Sequence, residues 1–511
     1  MNKEITATNH RRIARNTLML YGRVLFTMLV SLYTSRVILQ TLGVEDFGIY
    51  NVVGGVIVMF SFINGSMVSA TQRYLNVELA RGDKQRLRSV FSSALQIHFL
   101  IALLMVVLGE TLGLWFLSEK LVIPENRATA AMWVYQCSIL VCAVNVMSTP
   151  YNADIIAHEK MSAFAYISIL EVLLKLGVVY LLQLSPWDKL IVYALLLLGV
   201  QVLLRFVYVL YCHRRFDESH YRKASVERGL FREMFGFAGW SFVGNLSAVL
   251  FTQGLNMMLN IFFGPVVNAA RGIAVQVQGA VQQFVTNFQM AVNPQITKNY
   301  ALGNMADMHS LMFRSARFSF LLLFFLGLPI LLETGFLLRV WLGTVPDNAV
   351  IFTQIMICIS MIYTLANPCV VANQATGKIK QYQLVVGGIL LTILPISYVV
   401  LRLGAPAYSV FIVHFCVECV AQLARMLMLR PLIGVKLGQY LRHIYLPLLA
   451  TVAVAVLLPL WVRQQMDEGW LRFLAVGGSC VLSVGLSACL LGLEKDERRF
   501  FAGKIRQTLG R

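Results

Sequence analysis

Charged residues are scarce in this chain. Asp, Glu, Lys and Arg make up 13% of the 511 residues, while 58% are hydrophobic, and the mean hydropathy is +0.69. A soluble domain carries about 25% charged residues. The shortage of charge therefore excludes an ordinary soluble protein and indicates a chain that is immersed in lipid. Its function must then reside in the few polar groups that lie inside the membrane.

Several chemical signatures are missing as well. The chain has no Gly-x-x-x-x-Gly-Lys-Ser/Thr sequence, which excludes a Walker nucleotide site. No catalytic triad, cluster of metal ligands or extramembrane catalytic domain is apparent from the residue spacings. The nine cysteines lie within or at the ends of apolar stretches and are expected to pack as small apolar residues. We expect that the protein is not an enzyme, that it binds no metal or cofactor, and that it has no cleavable signal peptide.

Long apolar stretches fill the chain almost from end to end, and each is about as long as the 20 residues that a spanning helix needs. The sequence predicts an all-α polytopic membrane protein of about 14 transmembrane helices. The predicted segments are 16–39, 47–72, 91–117, 127–152, 161–184, 189–212, 235–262, 268–292, 317–341, 349–374, 381–403, 406–429, 443–462 and 470–491.

Most lysines and arginines lie in alternate connections, counted from the N-terminal tail. Lys298, Arg314 and Arg317, for example, are assigned to the connection after segment 8. The positive-inside rule then predicts a multi-pass protein of the bacterial inner membrane with both termini in the cytoplasm. The net charge of +18 is explained by this topology and by attraction to anionic membrane lipid. No nucleic-acid partner is needed.

Short matches recur between the two halves of the chain. Pro150 with Lys160 and Pro368 with Lys378 have the same internal spacing, and Gln72 and Gln295 follow segments 2 and 8. A repeat of six helices in equal orientation is an arrangement seen in transporters. The predicted domains are a first lobe at 1–212, a basic cytoplasmic linker at 213–234, a second lobe at 235–429, and segments 13 and 14 with a cytoplasmic tail at 430–511.

Segment 8 carries the strongest polar pattern. Arg271, Gln278, Gln282 and Gln289 are spaced 7, 4 and 7 residues apart, so they share one helical face. Segment 7 adds Asn256. Such a face is costly against lipid and is expected to line a water-filled cavity. The alternative is that these groups form hydrogen bonds between helices and hold the bundle together.

The charges inside the predicted helices are mostly cationic. Arg23 and Arg271 lie on polar faces and are candidates for binding phosphate or pyrophosphate, which suits the planar guanidinium fork. Arg36 is a third candidate, although it points away from the Arg23 face. Arg425 lies near a predicted cytoplasmic helix end, where its side chain is expected to reach the interface.

Three more charged residues are candidates for coupling transport to an ion gradient. Glu171 and Lys175 are four residues apart on segment 5, where they can also simply pair. Glu418 shares a face of segment 12 with Arg425. The sequence leaves open which ion drives transport and whether any does.

Three short sequences resemble a known family. They are Arg-Asn-Thr-Leu at 15–18, Gly-Val-Glu-Asp-Phe-Gly-Ile-Tyr at 43–50 and Val-Asn-Ala-Ala-Arg-Gly-Ile-Ala at 267–274. The chain is similar, over nearly its whole length, to Wzx-type O-antigen or capsule flippases of the multidrug/oligosaccharidyl-lipid/polysaccharide exporter superfamily.

The resemblance implies two lobes that alternate access around a central cationic cavity. It implies that the substrate is an undecaprenyl-pyrophosphate-linked oligosaccharide, moved from the cytoplasmic to the periplasmic leaflet, and that a polymerase and glycosyltransferases are partners. Segments 13 and 14 would form a groove for the lipid tail. In this hypothesis Arg23, Arg271 and Arg36 bind the pyrophosphate, while the amides of Asn256, Gln278, Gln282 and Gln289 bind sugar hydroxyls.

Two other functions remain open at this point. A cation-coupled multidrug exporter of the same superfamily would need an acidic pocket, whereas the polar faces of segments 1 and 8 carry arginine. A scaffold subunit of a glycan-assembly complex would not transport, and its polar faces would be dry and hydrogen-bonded.

Overall fold

The structure is a computed structural model. It describes residues 19–31, 33–34, 37–38, 41–42, 46, 49–50, 53, 62–119, 124–220, 227–263, 265–342, 345–494 and 497–498. Within these residues the chain is almost entirely helical and forms fourteen principal helices. They are α1 Met19–Ser31, α2 Phe62–Arg81, α3 Lys84–Gly113, α4 Glu125–Ala157, α5 Met161–Leu184, α6 Lys189–Arg215, α7 Arg228–Phe263, α8 Pro265–Ala301, α9 Met305–Leu342, α10 Ala349–Thr376, α11 Lys380–Arg402, α12 Ser409–Ile433, α13 Leu437–Gln464 and α14 Trp470–Gly492.

Eleven of these helices, α3 to α7 and α9 to α14, are long and apolar enough to cross a membrane. The all-α membrane fold predicted from the sequence is confirmed. The described part of α1 is short. Helix α8 and the described part of α2 fall short in hydropathy because they carry many polar residues, and they occupy equivalent places in the predicted six-helix repeat. Helix α8, at 37 residues, is also longer than the sequence predicts.

The chain divides into two compact units, Met1–Leu246 and Ser247–Arg511. The segment predicted as a basic linker, 213–234, includes the end of α6, a short 3-10 turn at Asp217–Ser219 and the start of α7. The predicted domain boundaries otherwise remain predictions.

The core of the first unit forms around α4, which packs against α2, α3 and α6. The last turn of α3, Gly109–Gly113, is a π-helix, and the Tyr135 hydroxyl of α4 donates a hydrogen bond of 2.5 Å to the Gly109 carbonyl. A Cβ on Gly113 would collide with that hydroxyl. Glycine is therefore required where α3 and α4 approach this closely.

The core of the second unit forms where α8, α9, α10 and α12 pack together. Ala270 and Ala274 on α8 are fully buried, and their small side chains let neighbouring helices approach closely. Phe352 of α10 and Phe411 of α12 meet with ring centroids 4.5 Å apart. Helix α14 packs against α9 and α13. This packing positions the polar face of α8 against α9 and α10.

A buried charge cluster ties the chain after α14 to α9. Arg317 is 1% exposed and donates hydrogen bonds to Glu497 at 2.7 Å and to the His443 carbonyl at 2.9 Å. Burial alone would raise the pKa of the nearby Glu494 carboxyl, but its bonds to Arg317 and His443 hold that pKa below its usual value. Arg317, which begins predicted segment 9 and is also assigned to the connection before it, lies inside α9 because that helix begins earlier, at Met305. Two acids far along the chain neutralise it there.

Candidate functional sites

Arg271 of α8 is a buried cation whose described neighbours include no carboxylate. The residue is 7% exposed. Its Nη1 donates to the Asn256 side-chain oxygen of α7, and its Nη2 donates to the Thr252 carbonyl at 3.3 Å. Its Nε–H meets no acceptor among the described residues. The structure thus brings Arg271 and Asn256 together. The Arg271 guanidinium keeps an N–H donor that has no described acceptor, and no described acid neutralises its charge.

Asn256 is oriented by this arrangement. Its amide nitrogen donates to the Gln253 side chain at 3.1 Å, while its oxygen accepts from Arg271. Both hydrogen-bonding ends of the amide are therefore occupied within α7 and α8. Asn256 accordingly serves to position the Arg271 guanidinium in this conformation.

The three glutamines of the α8 face have different environments. Gln278 donates to the Ser360 hydroxyl of α10 at 2.7 Å. Gln289 is 3% exposed and donates to the Ser319 hydroxyl of α9 at 3.0 Å and to the Thr364 carbonyl of α10 at 3.2 Å. These two amides join helices, as the alternative interpretation of this face predicts. Both hydrogen bonds of the buried Gln289 amide nitrogen are made to neighbouring helices, which favours a structural role for this residue.

Gln282 differs from both of them. Its side-chain oxygen is buried without a hydrogen-bond donor among the described residues. An unsatisfied buried amide oxygen is costly. The Gln282 Oε1 is therefore an acceptor that a ligand hydroxyl would satisfy.

We expect the alanine variants of these glutamines to behave oppositely. Gln289→Ala breaks two interhelical hydrogen bonds and should lower the free energy of unfolding by about 0.6–2 kcal/mol. Gln282→Ala strands no described partner and should change it by less than about 0.5 kcal/mol, while transport falls or substrate preference broadens. Equilibrium unfolding in detergent and a surface-glycan assay on both variants test this. Equal destabilisation by the two substitutions would contradict the distinction.

In the first unit, Arg23 of α1 lies against α5. Its guanidinium carbon is 4.7 Å from the centroid of the Phe164 ring, and its Nη1 donates to the Ser168 hydroxyl at 3.4 Å. Arg36, the third predicted cation, lies outside the described residues.

The candidate coupling residues form two ion pairs of unlike burial. Lys175 and Glu171 are 2.6 Å apart on α5, with side chains 39% and 33% exposed. Arg425 and Glu418 are also 2.6 Å apart, on α12, and both side chains are only 4% exposed. The expectation that Arg425 reaches the interface is wrong, because its guanidinium turns inward to neutralise Glu418.

A second cluster was missed by sequence reasoning. Asp154 of α4, His158 just after it and Glu218 in the turn after α6 lie together, with ligand atoms all within 4.8 Å of one another. The spacing of Asp154 and His158, one helical turn apart, is the one signal that the sequence carries. Glu218 is 60 residues further on and joins them only through the fold.

Comparison with known proteins decides the family. A family model described as polysaccharide biosynthesis protein matches residues 13–300. The chain belongs to the polysaccharide biosynthesis protein family. The chain is also 22% identical over 501 residues to EpsK, an uncharacterised membrane protein of Bacillus subtilis (strain 168), a match that covers 95% of this chain and 96% of the relative. The family predicted from the three short sequences is confirmed.

Solved structures show the fold of this family member. It is similar to a MATE transporter in the straight conformation, with a TM-score of 0.71 and 12% identity over 83% of this chain and 96% of that chain. The chain is also similar to a MOP superfamily transporter from Pyrococcus furiosus, with a TM-score of 0.66 and 14% identity over 83% of this chain and 96% of that chain. This polysaccharide biosynthesis protein therefore has a MATE-type fold.

Proposed function

We propose that this family member flips an undecaprenyl-pyrophosphate-linked oligosaccharide from the cytoplasmic to the periplasmic leaflet of the bacterial inner membrane. The observation that carries the proposal is Arg271, a buried guanidinium with no carboxylate among its described neighbours. A buried charge is costly unless it is paired, and a pyrophosphate supplies the missing negative charge. A cationic drug would instead be repelled at this position, so the multidrug alternative is not favoured.

The pyrophosphate head group would bind through the planar fork of Arg271. Its Nε–H has no described acceptor, and its Nη2 bond to the Thr252 carbonyl, at 3.3 Å, is long enough to be exchanged for a phosphate oxygen at low cost. Asn256 holds the guanidinium in orientation. Arg23 of the first unit, which stacks on Phe164, and Arg36 are the other two cations proposed to bind pyrophosphate.

The sugars would be bound by amides with spare hydrogen-bonding capacity. Gln282 has a buried oxygen without a described donor and is the first candidate, followed by Gln278, whose oxygen can accept a sugar hydroxyl while its nitrogen donates to Ser360. The lipid tail would remain in the membrane. Alternating access of the two six-helix lobes would expose the head group first to one side and then to the other.

A gradient would drive this cycle only if a charged group inside the membrane changed its partner. Glu418 is the stronger candidate because it is held in a buried pair with Arg425, and a change of partner at Glu418 would release the guanidinium. The half-exposed pair of Glu171 and Lys175 is the weaker candidate. A polymerase and glycosyltransferases would act on the same substrate as partners.

Head-group binding by the purified protein tests the proposal. Farnesyl pyrophosphate should bind measurably in detergent, and farnesol should not. Arg271→Ala should weaken pyrophosphate binding roughly 10- to 150-fold, because a hydrogen bond to a charged group contributes about 1.5–3 kcal/mol. Arg402→Ala, which removes an exposed cation at the end of α11, is the matched control and should bind as the wild type does. Equal affinity of wild type and Arg271→Ala would reject the assigned role.

A further inference from the structure

Three potential metal ligands converge at one end of the first unit. The His158 Nε2 is 2.6 Å from a Glu218 oxygen and 3.7 Å from an Asp154 oxygen. The His158 ring stacks on Phe216, with centroids 4.0 Å apart and planes inclined by 6°. The stack holds the plane of the imidazole ring, and its Nε2 contacts the Glu218 carboxylate directly while the nearer Asp154 oxygen lies farther away.

Asp154 is the member of this group that lacks a partner. The residue is fully buried, and neither carboxylate oxygen accepts a hydrogen bond from the described residues. The 3.7 Å separation from His158 Nε2 is too long for a hydrogen bond. Burial of an ionised carboxylate without a hydrogen-bonding partner or a coordinated metal is strongly unfavourable. The carboxylate therefore faces the other two ligands with its own coordination unsatisfied.

The donor set is suited to a transition metal. One imidazole nitrogen and two carboxylates are ligands that zinc takes at about 2.0–2.2 Å, and three protein ligands leave a fourth position for water. An imidazole disfavours magnesium and calcium, which prefer oxygen ligands alone. Two carboxylates would also neutralise a divalent ion.

A cavity gives access to the group. It has a volume of about 310 Å³, and both His158 and Glu218 line it, together with Glu78, Lys84 and Arg88. The cavity therefore gives water and ions access to His158 and Glu218, whereas Asp154 does not line it.

We propose that Asp154, His158 and Glu218 bind a divalent transition-metal ion of the zinc type. The metal would replace the close contact between His158 and Glu218, and it would give the buried Asp154 carboxylate a partner. It would also join the end of α4 to the turn that follows α6. This site is separate from the arginines that are proposed to bind substrate, so its failure would leave the proposed transport function untouched.

Metal titration of the untagged, metal-stripped protein in detergent tests this site. Cobalt, followed by its visible absorption, and zinc, followed by calorimetry and by competition with cobalt, should each bind with one equivalent at the cluster. Asp154→Asn and His158→Gln should each weaken that binding at least tenfold, and excess magnesium should not compete. Zinc should also raise the unfolding temperature of the wild type but not of the two variants.

The chain contains a matched control in a second His–carboxylate contact. His443 Nδ1 is 3.1 Å from Glu494, but both side chains are more than 40% exposed, and His443→Gln should bind zinc as the wild type does. If Asp154→Asn does not fold, Glu218→Gln, which keeps a polar group beside the imidazole, replaces it. Unchanged affinity in the cluster variants, or no binding at millimolar zinc, would overturn the proposal.

Discussion

Arg271→Ala is expected to reduce surface glycan to background in cells that depend on this protein, with protein abundance near that of the wild type. The guanidinium is buried and has no carboxylate among its described neighbours, so its removal relieves an uncompensated charge and takes away the ligand for the substrate anion. Arg271→Lys should restore export only partly, because an ammonium cannot bind phosphate with the bidentate geometry of guanidinium.

Two results would contradict this expectation. Full glycan display by Arg271→Ala would show that the cation is not used in export. Loss of the protein from the membrane would show instead that the contacts of Arg271 with Asn256 and Thr252 are mainly structural. Arg402→Ala, measured in parallel, controls for the general removal of a positive charge.

Glu418→Ala is expected to lower the free energy of unfolding by about 3–5 kcal/mol. The substitution leaves Arg425 buried without its counter-ion, and loss of one partner of a buried pair has this cost. The matched control is Glu171→Ala, which breaks a half-exposed pair of the same length and should cost less than about 1 kcal/mol. Equilibrium unfolding in mixed micelles measures both variants.

The double variant Glu418→Leu, Arg425→Met separates a structural role from a coupling role. Replacement of both members of a buried pair by apolar groups is often neutral, so stability should largely return. If transport returns with it, the pair is structural. If transport is still lost, the pair takes part in the transport cycle. A change in stability below about 1 kcal/mol for Glu418→Ala alone would contradict the buried environment assigned to this residue.

The apolar helices could be predicted because each membrane span needs a continuous run of about 20 mostly apolar residues, which is visible in the local sequence. Helix α8 could be predicted despite its low hydropathy, since Arg271 and Gln278 recur at helical spacing and Gln295 matches Gln72 of the other half. Hydropathy alone does not select this helix as a membrane span, because polar residues occupy one of its faces.

The partners of the polar residues could not be predicted in the same way. Gln289 binds groups that are 30 and 75 residues away, and Arg317 binds an acid 180 residues away. A row of polar side chains along one helical face is expected both where that face lines a water-filled cavity and where it forms hydrogen bonds to neighbouring helices, so the spacing alone does not distinguish the two. Only the packing of α9 and α10 against α8 distinguishes Gln289 from Gln282.

The central claim is that the chain moves a pyrophosphate-linked glycan across a bilayer, and a flipping assay in proteoliposomes tests it most directly. Lipid-linked oligosaccharide would be placed in both leaflets, and the sugar accessible to an impermeant glycan-cleaving enzyme would be followed with time. The account predicts that wild-type protein makes the inner-leaflet pool accessible and that Arg271→Ala leaves it protected, as in protein-free vesicles. Equal protection with and without wild-type protein, under conditions in which the protein is folded and any required gradient is imposed, would contradict the account.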